Sequence, residues 1–198
     1  FSILEVFMVS VVTKERFEQG LLYNDYISGV NVNKDRFELY YETSADALST
    51  QDVEFFKGIV QNGVSKVLVI GEDWCPDVFR GMPVMARIAE ASGMEMRVFP
   101  RDNHLDIMDE FLKDGEFLSI PVFVFYNSDH EYIAHWIERP ESATKEMAEI
   151  REKVLKDNDG ADEREIRHAS RDATNARFPY WQKVTVEDLK ILLSKNIK

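Results

Sequence analysis

Residues 67–77 of this chain read Val-Leu-Val-Ile-Gly-Glu-Asp-Trp-Cys-Pro-Asp. The apolar, β-branched first part predicts a buried strand, and apolar residues at helical spacing beyond it predict a helix over residues 77–91. Cys75, the only cysteine in the sequence, therefore lies in a turn between a strand and a helix. A lone cysteine is often a small buried hydrophobic residue, but its place in a polar turn at a helix start makes Cys75 a candidate reactive thiol.

Two opposing effects act on the thiol of Cys75. The free N–H groups and the positive end of the helix dipole stabilise a thiolate. The carboxylates of Glu72, Asp73 and Asp77 disfavour a second negative charge in the same turn. The sequence leaves this balance open, but it excludes an internal disulfide, because position 78 is a valine and no second cysteine exists.

The composition is that of an acidic protein with a substantial core. Hydrophobic residues make up 44% and aromatic residues 12% of the 198 residues, which is ample for one domain with an appended helical element. The formal net charge of −12, without a basic block, argues against nucleic acid and membrane partners. A lone cysteine suits a reducing cytosol and no stretch is long enough to span a membrane, so a cytoplasmic location is predicted.

The first sixty or so residues are predicted to form short helices. The apolar residues 1–12 are interpreted as a strand or an N-terminal extension. Thr13 and Asn33 are placed to cap two helices, and Ser49 with Asp52 opens a third. From residue 64 the pattern alternates between strands and helices. Strands are predicted at 66–70, 94–99, 121–126 and 131–137, and helices at 77–91 and 103–113.

The rest of the sequence is predicted to be helical and solvated. Two charged stretches run to about residue 177, and a last helix is predicted to begin at Thr185, as its cap, and to end at residue 192. The element order predicts an α/β sandwich in which parallel strands joined by crossovers are followed by a hairpin. It also predicts two parts, an N-terminal helical extension at 1–63 packed on the core, and residues 64–198 with the sheet and the C-terminal helices.

Two separated segments resemble the thioredoxin superfamily. Residues 72–77, Glu-Asp-Trp-Cys-Pro-Asp, are similar to the thioredoxin active-site turn that follows the central strand. Residues 119–125, Ser-Ile-Pro-Val-Phe-Val-Phe, are similar to the segment where thioredoxins place a cis-proline beside the active cysteine. A proline at the start of a strand is physically apt, because it has no ladder hydrogen bond to give there. The resemblance implies a thioredoxin-like sandwich with a central mixed β-sheet.

From Met8 to Leu193 the chain also resembles a bacterial group usually named only "thioredoxin family protein". That group has N-terminal helices and a single-cysteine Asp-Trp-Cys-x-Asp motif, and its aromatic residue and Arg-Pro step are comparable to Trp136 and Arg139. The sequence departs from dithiol thioredoxins at the resolving cysteine. Val69 also replaces the aspartate that they usually bury in the preceding strand. The absence of the resolving cysteine and the absence of the buried aspartate are consistent with each other, because that aspartate assists deprotonation of the second thiol.

The resemblance implies a redox role for Cys75, with Trp74 and Asp77 beside it as the other candidate catalytic residues. In this hypothesis the protein is a thiol-disulfide oxidoreductase acting by a monothiol mechanism. Its partners would be a protein thiol or disulfide, or a low-molecular-weight thiol such as glutathione, which resolves the mixed disulfide. The candidate substrate-binding residues are Ile120, Pro121, Pro76 and Arg80.

Several alternatives stay open at this point. Arg80 could attract an anionic substrate or merely pair with Asp77, and Asp73 could transfer protons or cap a helix. The thioredoxin-like groove could instead bind an extended partner without catalysis, or Cys75 could link two chains through an intermolecular disulfide. The four histidines show no metal-ligand spacing, so neither a metal nor another cofactor is predicted.

Overall fold

A mixed sheet at the centre of the fold contains the strand predicted before Cys75. In the computed structural model, which describes residues 10–197, the strands are β1 (Lys66–Gly71), β2 (Glu95–Pro100), β3 (Val122–Tyr126) and β4 (Tyr132–Ile137). Their order in the sheet is β2-β1-β3-β4. β1 is parallel to β2 and antiparallel to β3, which pairs antiparallel with β4. The mixed sheet with flanking helices confirms the predicted thioredoxin-like α/β fold.

The antiparallel direction of β3 differs from the parallel crossover expected for it. The connection at residues 101–121 begins with short helical turns at 101–111, which reach Tyr132 and His135 of β4 through Phe111, and it then returns to the end of the sheet where β1 and β2 finish. The chain therefore enters β3 from that same end, so that Val122 lies opposite Ile70. This reversal places Pro121, just before β3, next to the turn that follows β1.

The helices lie on both sides of this sheet and along its edges. They are α1 (Lys14–Glu18), α2 (Tyr23–Gly29), α3 (Lys34–Thr43), α4 (Thr50–Gln61), α5 (Pro76–Ser92), α6 (Leu105–Met108), α7 (Glu141–Asp157) and α8 (Glu163–Asn196). α5 is the crossover from β1 to β2, and 12 of its 17 residues are buried. Gly71 lets α5 approach β1 closely, because a Cβ there would lie 2.8 Å from Cγ1 of Val78.

The N-terminal helices pack on the sheet domain through aromatic contacts. Tyr40 of α3 stacks on Phe79 of α5 with ring centroids 6.2 Å apart. Leu21 pairs with Val98 of β2 through two backbone hydrogen bonds of 2.8 and 2.9 Å. The division at residues 63 and 64 stays a prediction. Most of the strand or extension expected at residues 1–12 lies outside the described residues.

Of the three caps predicted for the N-terminal helices, two were right. Thr13 accepts a hydrogen bond from the N–H of Arg16, and Ser49 and Asp52 form a capping box. Asn33 precedes α3 in the left-handed region, with φ of 60°, and makes no capping bond.

The C-terminal prediction was wrong at Thr185. α8 is one continuous helix, and Thr185 lies inside it with its hydroxyl donating to the carbonyl of Trp181 at 2.9 Å. A threonine hydroxyl can be satisfied by the preceding turn of its own helix, so a sequence pattern typical of a cap did not mark a helix start. Between residues 10 and 197, no helix combines the length and the apolar character needed to cross a membrane.

Candidate functional site

Cys75 lies at the start of α5, directly after the carboxyl end of β1. It is the N-cap residue, with extended backbone angles of φ −86° and ψ 124°. Its carbonyl accepts the N–H groups of Val78 at 3.1 Å and Phe79 at 3.2 Å. Pro76 fits the first helical position, where a backbone N–H would have no partner within the helix. The cysteine thus stands in the strand-turn-helix arrangement that its sequence context predicts.

The thiol of Cys75 lies against the residues that lead into β3. Its Sγ atom is 3.7 Å from the carbonyl oxygen of Ile120, in position to donate a weak S–H hydrogen bond. The Ile120–Pro121 peptide bond is cis. A Cβ at Gly81, in α5, would lie 3.5 Å from Cγ of Pro121, so this helix and the proline are also close. The structure therefore brings together the two segments that resemble thioredoxins.

Cys75 is only 9% exposed, and this burial raises the pKa of its thiol above the usual value. The N–H groups of Val78 and Asp77 lower the pKa because they can donate to a thiolate, while the negative charge of Asp77 raises it. Arg139 contributes an opposing positive charge. The balance left open by the sequence therefore favours the neutral thiol in the resting protein.

Asp77 forms an ion pair with Arg139, an arginine that is distant in sequence. Arg139 follows β4, and its Nη2 atom is 2.7 Å from Oδ2 of Asp77. The two side chains are only 21% and 13% exposed, so this ion pair is largely shielded from water. Burial nevertheless raises the pKa of Asp77, although Arg139 and Arg80 act to lower it.

The ion pair continues into a row of alternating charges. The same Nη2 atom of Arg139 also donates to Glu138, whose other carboxylate oxygen is 2.5 Å from Nζ of Lys113. Glu138 adopts the left-handed region with φ of 69°, and its N–H donates to the carbonyl of Pro121 at 2.7 Å. This row therefore connects both predicted active-site segments to the end of β4.

Arg139 and Glu138 are the residues of the site that sequence reasoning did not assign. Asp77 and Arg139 are 62 positions apart, and only the sheet brings them together. A positive φ at a glutamate is uncommon and leaves no pattern in a single sequence. The available signal was a pair of oppositely charged residues directly after a strand at 131–137.

On the other side of Cys75, Asp73 is fixed by the N-terminal helices. Its Oδ2 atom accepts the N–H groups of Asn31 at 2.8 Å and Val32 at 3.3 Å. The side chain of Asn33 donates to the carbonyl of Asp73 at 2.9 Å. Asp73 therefore ties the turn to the segment between α2 and α3, rather than capping α5.

Exposed apolar residues lie in and near the two segments that meet at Cys75. Trp74 is 49% exposed, and the guanidinium carbon of Arg101 lies 5.0 Å from its ring centroid. Arg101 also donates to the carbonyl of Leu118 at 3.2 Å. Leu118 and its neighbour Phe117 are 41% and 54% exposed. Pro76 is also exposed.

Arg80 lies apart from these exposed residues. It is 4% exposed, and its Nη2 atom donates to Oδ1 of Asn175 in α8 at 2.7 Å. Its guanidinium carbon is 5.6 Å from the ring centroids of both Phe79 and Phe178. Arg80 was expected either to attract an anionic substrate or to pair with Asp77. Its hydrogen bond goes to Asn175 in α8 instead, and its positive charge lowers the pKa of Asp77 without forming an ion pair with it. The burial of Arg80 leaves little of its surface for a substrate.

His104 is engaged with α1 and β2. Its Nδ1 atom is 3.3 Å from Nη2 of Arg16, and its ring packs edge-on against Phe99. Burial lowers the pKa of His104, and the charge of Arg16 adds to this effect. Across residues 10–197, no three His, Cys, Asp or Glu side chains come together in a way that could hold a metal ion.

Comparison with known proteins agrees with this geometry. A solved protein of unknown function from Pseudomonas aeruginosa has a TM-score of 0.66 and 14% identity, over 95% of this chain and 99% of that one. The crystal structure of an HIV epitope scaffold has the same TM-score and identity, over 94% and 99% of the two chains. At this identity the likeness shows the fold alone, and no curated protein matches the sequence. A family model described as thioredoxin matches residues 20–154, which is more than half of the sequence, so the chain belongs to the thioredoxin family.

Proposed function

We propose that this protein exchanges disulfides through Cys75 by a monothiol mechanism. The observation that carries the proposal is the contact between Sγ of Cys75 and the carbonyl of Ile120, at the N-terminus of α5. The contact supports a binding mode in which an extended partner segment lies along Ile120 and Pro121 and over the exposed Trp74 and Pro76. The partner is a protein disulfide or a low-molecular-weight disulfide such as oxidised glutathione.

The exchange needs an outside thiol to complete a cycle. The Cys75 thiolate attacks one sulfur of the partner disulfide, a new S–S bond forms, and the second partner sulfur leaves as a thiolate. A thiol such as reduced glutathione then attacks the mixed disulfide and releases Cys75. The chain has no second cysteine to do this internally.

The neutral resting thiol sets the conditions for this chemistry. The proton on Sγ must leave before attack, and the thiolate then takes hydrogen bonds from the N–H groups of Val78 and Asp77 in place of its contact with Ile120. Because burial raises the pKa of Cys75, the reaction should be slow at neutral pH and accelerate in alkaline solution.

The proposal is tested by incubating the folded protein with oxidised glutathione at pH 8 and measuring its intact mass. We expect one glutathione adduct, absent from the Cys75→Ser variant and removed by excess reduced glutathione. A folded protein that gains no adduct, while its unfolded form does, would refute the exchange mechanism. A disulfide-linked dimer as the sole product would instead favour self-association through Cys75.

A second candidate function, non-catalytic binding of an extended partner, is favoured by the exposed apolar side chains of Trp74, Phe117 and Leu118. Trp74 is next to Cys75 in the chain, and the pKa of the Cys75 thiol is raised by burial, which favours its less reactive neutral form. The two functions are separated by measuring partner capture without a reductant for the unchanged protein, Cys75→Ser and Trp74→Ala, because excess reductant would cleave a mixed disulfide. Binding predicts loss only in Trp74→Ala, whereas covalent exchange predicts loss in Cys75→Ser.

A further inference from the structure

A second concave site lies between the N-terminal helices and the sheet domain. It is a cleft of about 480 Å³ formed by α2, α3, α5 and the residues entering β2. None of the residues around Cys75 described above lines it. Its volume falls within the roughly 300–1,000 Å³ that is usual for small-molecule sites. The cleft is therefore large enough for a small organic ligand and separate from the thiol.

The walls of the cleft are apolar and aromatic. Ala86 and Ala89 of α5 line it, and their short side chains leave room that a larger residue would fill. Tyr23 of α2 and Tyr41 of α3 also line it, with ring centroids 5.7 Å apart and planes inclined by 25°. Two flat rings beside small aliphatic side chains suit a flat hydrocarbon or aromatic group.

The charged residues that line the cleft are both acidic. They are Glu38 of α3 and Glu90 of α5, and both are exposed to solvent. The hydroxyl of Tyr41 donates to Glu90, which fixes one carboxylate beside the aromatic wall. The neighbouring cation, Arg87, is not among the lining residues, and its guanidinium donates to the carbonyl of Tyr41 at 3.1 and 3.2 Å. The guanidinium carbon of Arg87 also lies 3.9 Å from the ring centroid of Tyr41, so one face of that ring is already covered by a cation.

From this combination we propose that the cleft binds a small organic cation with an aromatic or aliphatic body. The apolar part would lie among Ala86, Ala89 and the tyrosine rings. The ammonium group would lie near the carboxylates of Glu38 and Glu90, whose negative charge would attract it. An anion of the same shape would be repelled by the two carboxylates, and none of the described residues that line the cleft carries a positive charge to attract it. The cleft should therefore bind the cation more tightly than the anion.

The proposal is tested with two probes that share one ring system, 1-naphthylmethylammonium and 1-naphthylacetate. Each is titrated into the whole protein at pH 7 and low salt by calorimetry. We expect the cation to bind at least about tenfold more tightly than the anion. Equal affinity, tighter binding of the anion, or no binding of the cation would overturn the proposal.

Two variants locate the binding in the cleft. Glu38→Gln removes one carboxylate from an exposed position and should weaken the cation about threefold or more. Its matched control is Glu42→Gln, on the same helix but outside the cleft, which should leave the affinity unchanged. Ala89→Leu should abolish binding by filling the cleft, with folding checked by circular dichroism. Equal affinities in Glu38→Gln and Glu42→Gln would contradict the proposed site, whether or not Ala89→Leu folds.

The thiol chemistry plays no part in this binding. The same titration with Cys75→Ser should give the affinity of the unchanged protein. A strong dependence on Cys75 would place the probe in the groove beside Trp74 instead, and would refute the cleft as its site.

Discussion

Two aspartates stand two residues before and two residues after Cys75, and the structure uses them in different ways. Asp73 accepts backbone N–H groups from Asn31 and Val32, which belong to the segment between α2 and α3. Asp77 pairs with the guanidinium of Arg139, from the end of β4. Asp73 therefore anchors the backbone of the turn, whereas the charge of Asp77 acts on the thiol of Cys75.

The difference follows from where each carboxylate lies. Asp73 faces N–H groups at the exposed edge of the N-terminal helices, where its role is to hold the turn in place. Asp77 lies in the first turn of α5, 13% exposed, and its charge is one of the causes that raise the pKa of Cys75. Changes on the Asp77 side should therefore alter thiol reactivity, and changes on the Asp73 side should alter stability.

The largest effect is expected from Arg139→Met. The change removes the guanidinium from a largely buried pair and leaves Asp77 without its partner. We expect the free energy of unfolding to fall by about 2–3 kcal/mol, measured by urea denaturation at pH 7. The alkylation rate of Cys75 at pH 7.5 should also fall, because a positive charge that lowers the thiol pKa is lost.

Combining Arg139→Met with Asp77→Asn should recover most of that stability, since both charges are then absent. If the double variant is as unstable as Arg139→Met alone, the destabilisation does not come from the unpaired carboxylate of Asp77.

A smaller effect is expected from Asp73→Ala. The variant loses the two hydrogen bonds that the carboxylate of Asp73 accepts from Asn31 and Val32. These two N–H groups are at the surface, so they can donate to water instead. We expect the free energy of unfolding to fall by about 1 kcal/mol. The pH midpoint of Cys75 alkylation should stay where it is. A shift of that midpoint as large as the one in Asp77→Asn would break the distinction between the two aspartates.

The smallest change in stability is expected from Asp77→Asn, with less than about 1 kcal/mol lost because Arg139 keeps its contact with Glu138. Removal of the negative charge should lower the pKa of Cys75 and speed its alkylation at pH 7.5 by roughly two- to tenfold. The measurement is the alkylation rate from pH 6 to 10. An unchanged profile would show that the charge of Asp77 does not reach the thiol.

The pH dependence of stability should change in the same variant. Burial raises the pKa of Asp77, so the folded protein holds this proton more tightly than the unfolded chain. The resulting stabilisation is complete below the ordinary aspartate pKa of about 3.9 and is lost as the pH rises through the raised folded value. As the pH rises above about 4, Asp77→Asn should therefore gain stability relative to the unchanged protein, until the pH has passed the raised pKa of Asp77 in the folded state.

The sequence predicted what depends on local pattern. The strand before Cys75, the helix after it and the capping box at Ser49 follow from residues within a few positions of one another. The likeness of two short segments to thioredoxins also placed Pro121 beside the cysteine, and the structure brings these segments together at the Sγ contact with Ile120.

Features that depend on distant contacts were not predictable in this way. Arg139 reaches Asp77 only because the sheet brings the end of β4 to the start of α5. Arg80 is buried because α8 covers it, and α8 itself was divided at Thr185 in the prediction. The errors at Arg80 and Thr185 both involve α8. The alternating charges of this helix are typical of a solvated face and do not indicate which residues it covers.

The row of Lys113, Glu138, Arg139 and Asp77 has a consequence for how a ligand would meet the thiol. With two positive and two negative groups, the row is electrically neutral when all four are ionised. The chain as a whole has a formal net charge of −12. An anionic molecule such as glutathione is therefore repelled by the protein at long range, but the row beside Cys75 adds no net charge to that repulsion. Added salt, which screens the long-range field more than the shielded row, should ease its approach.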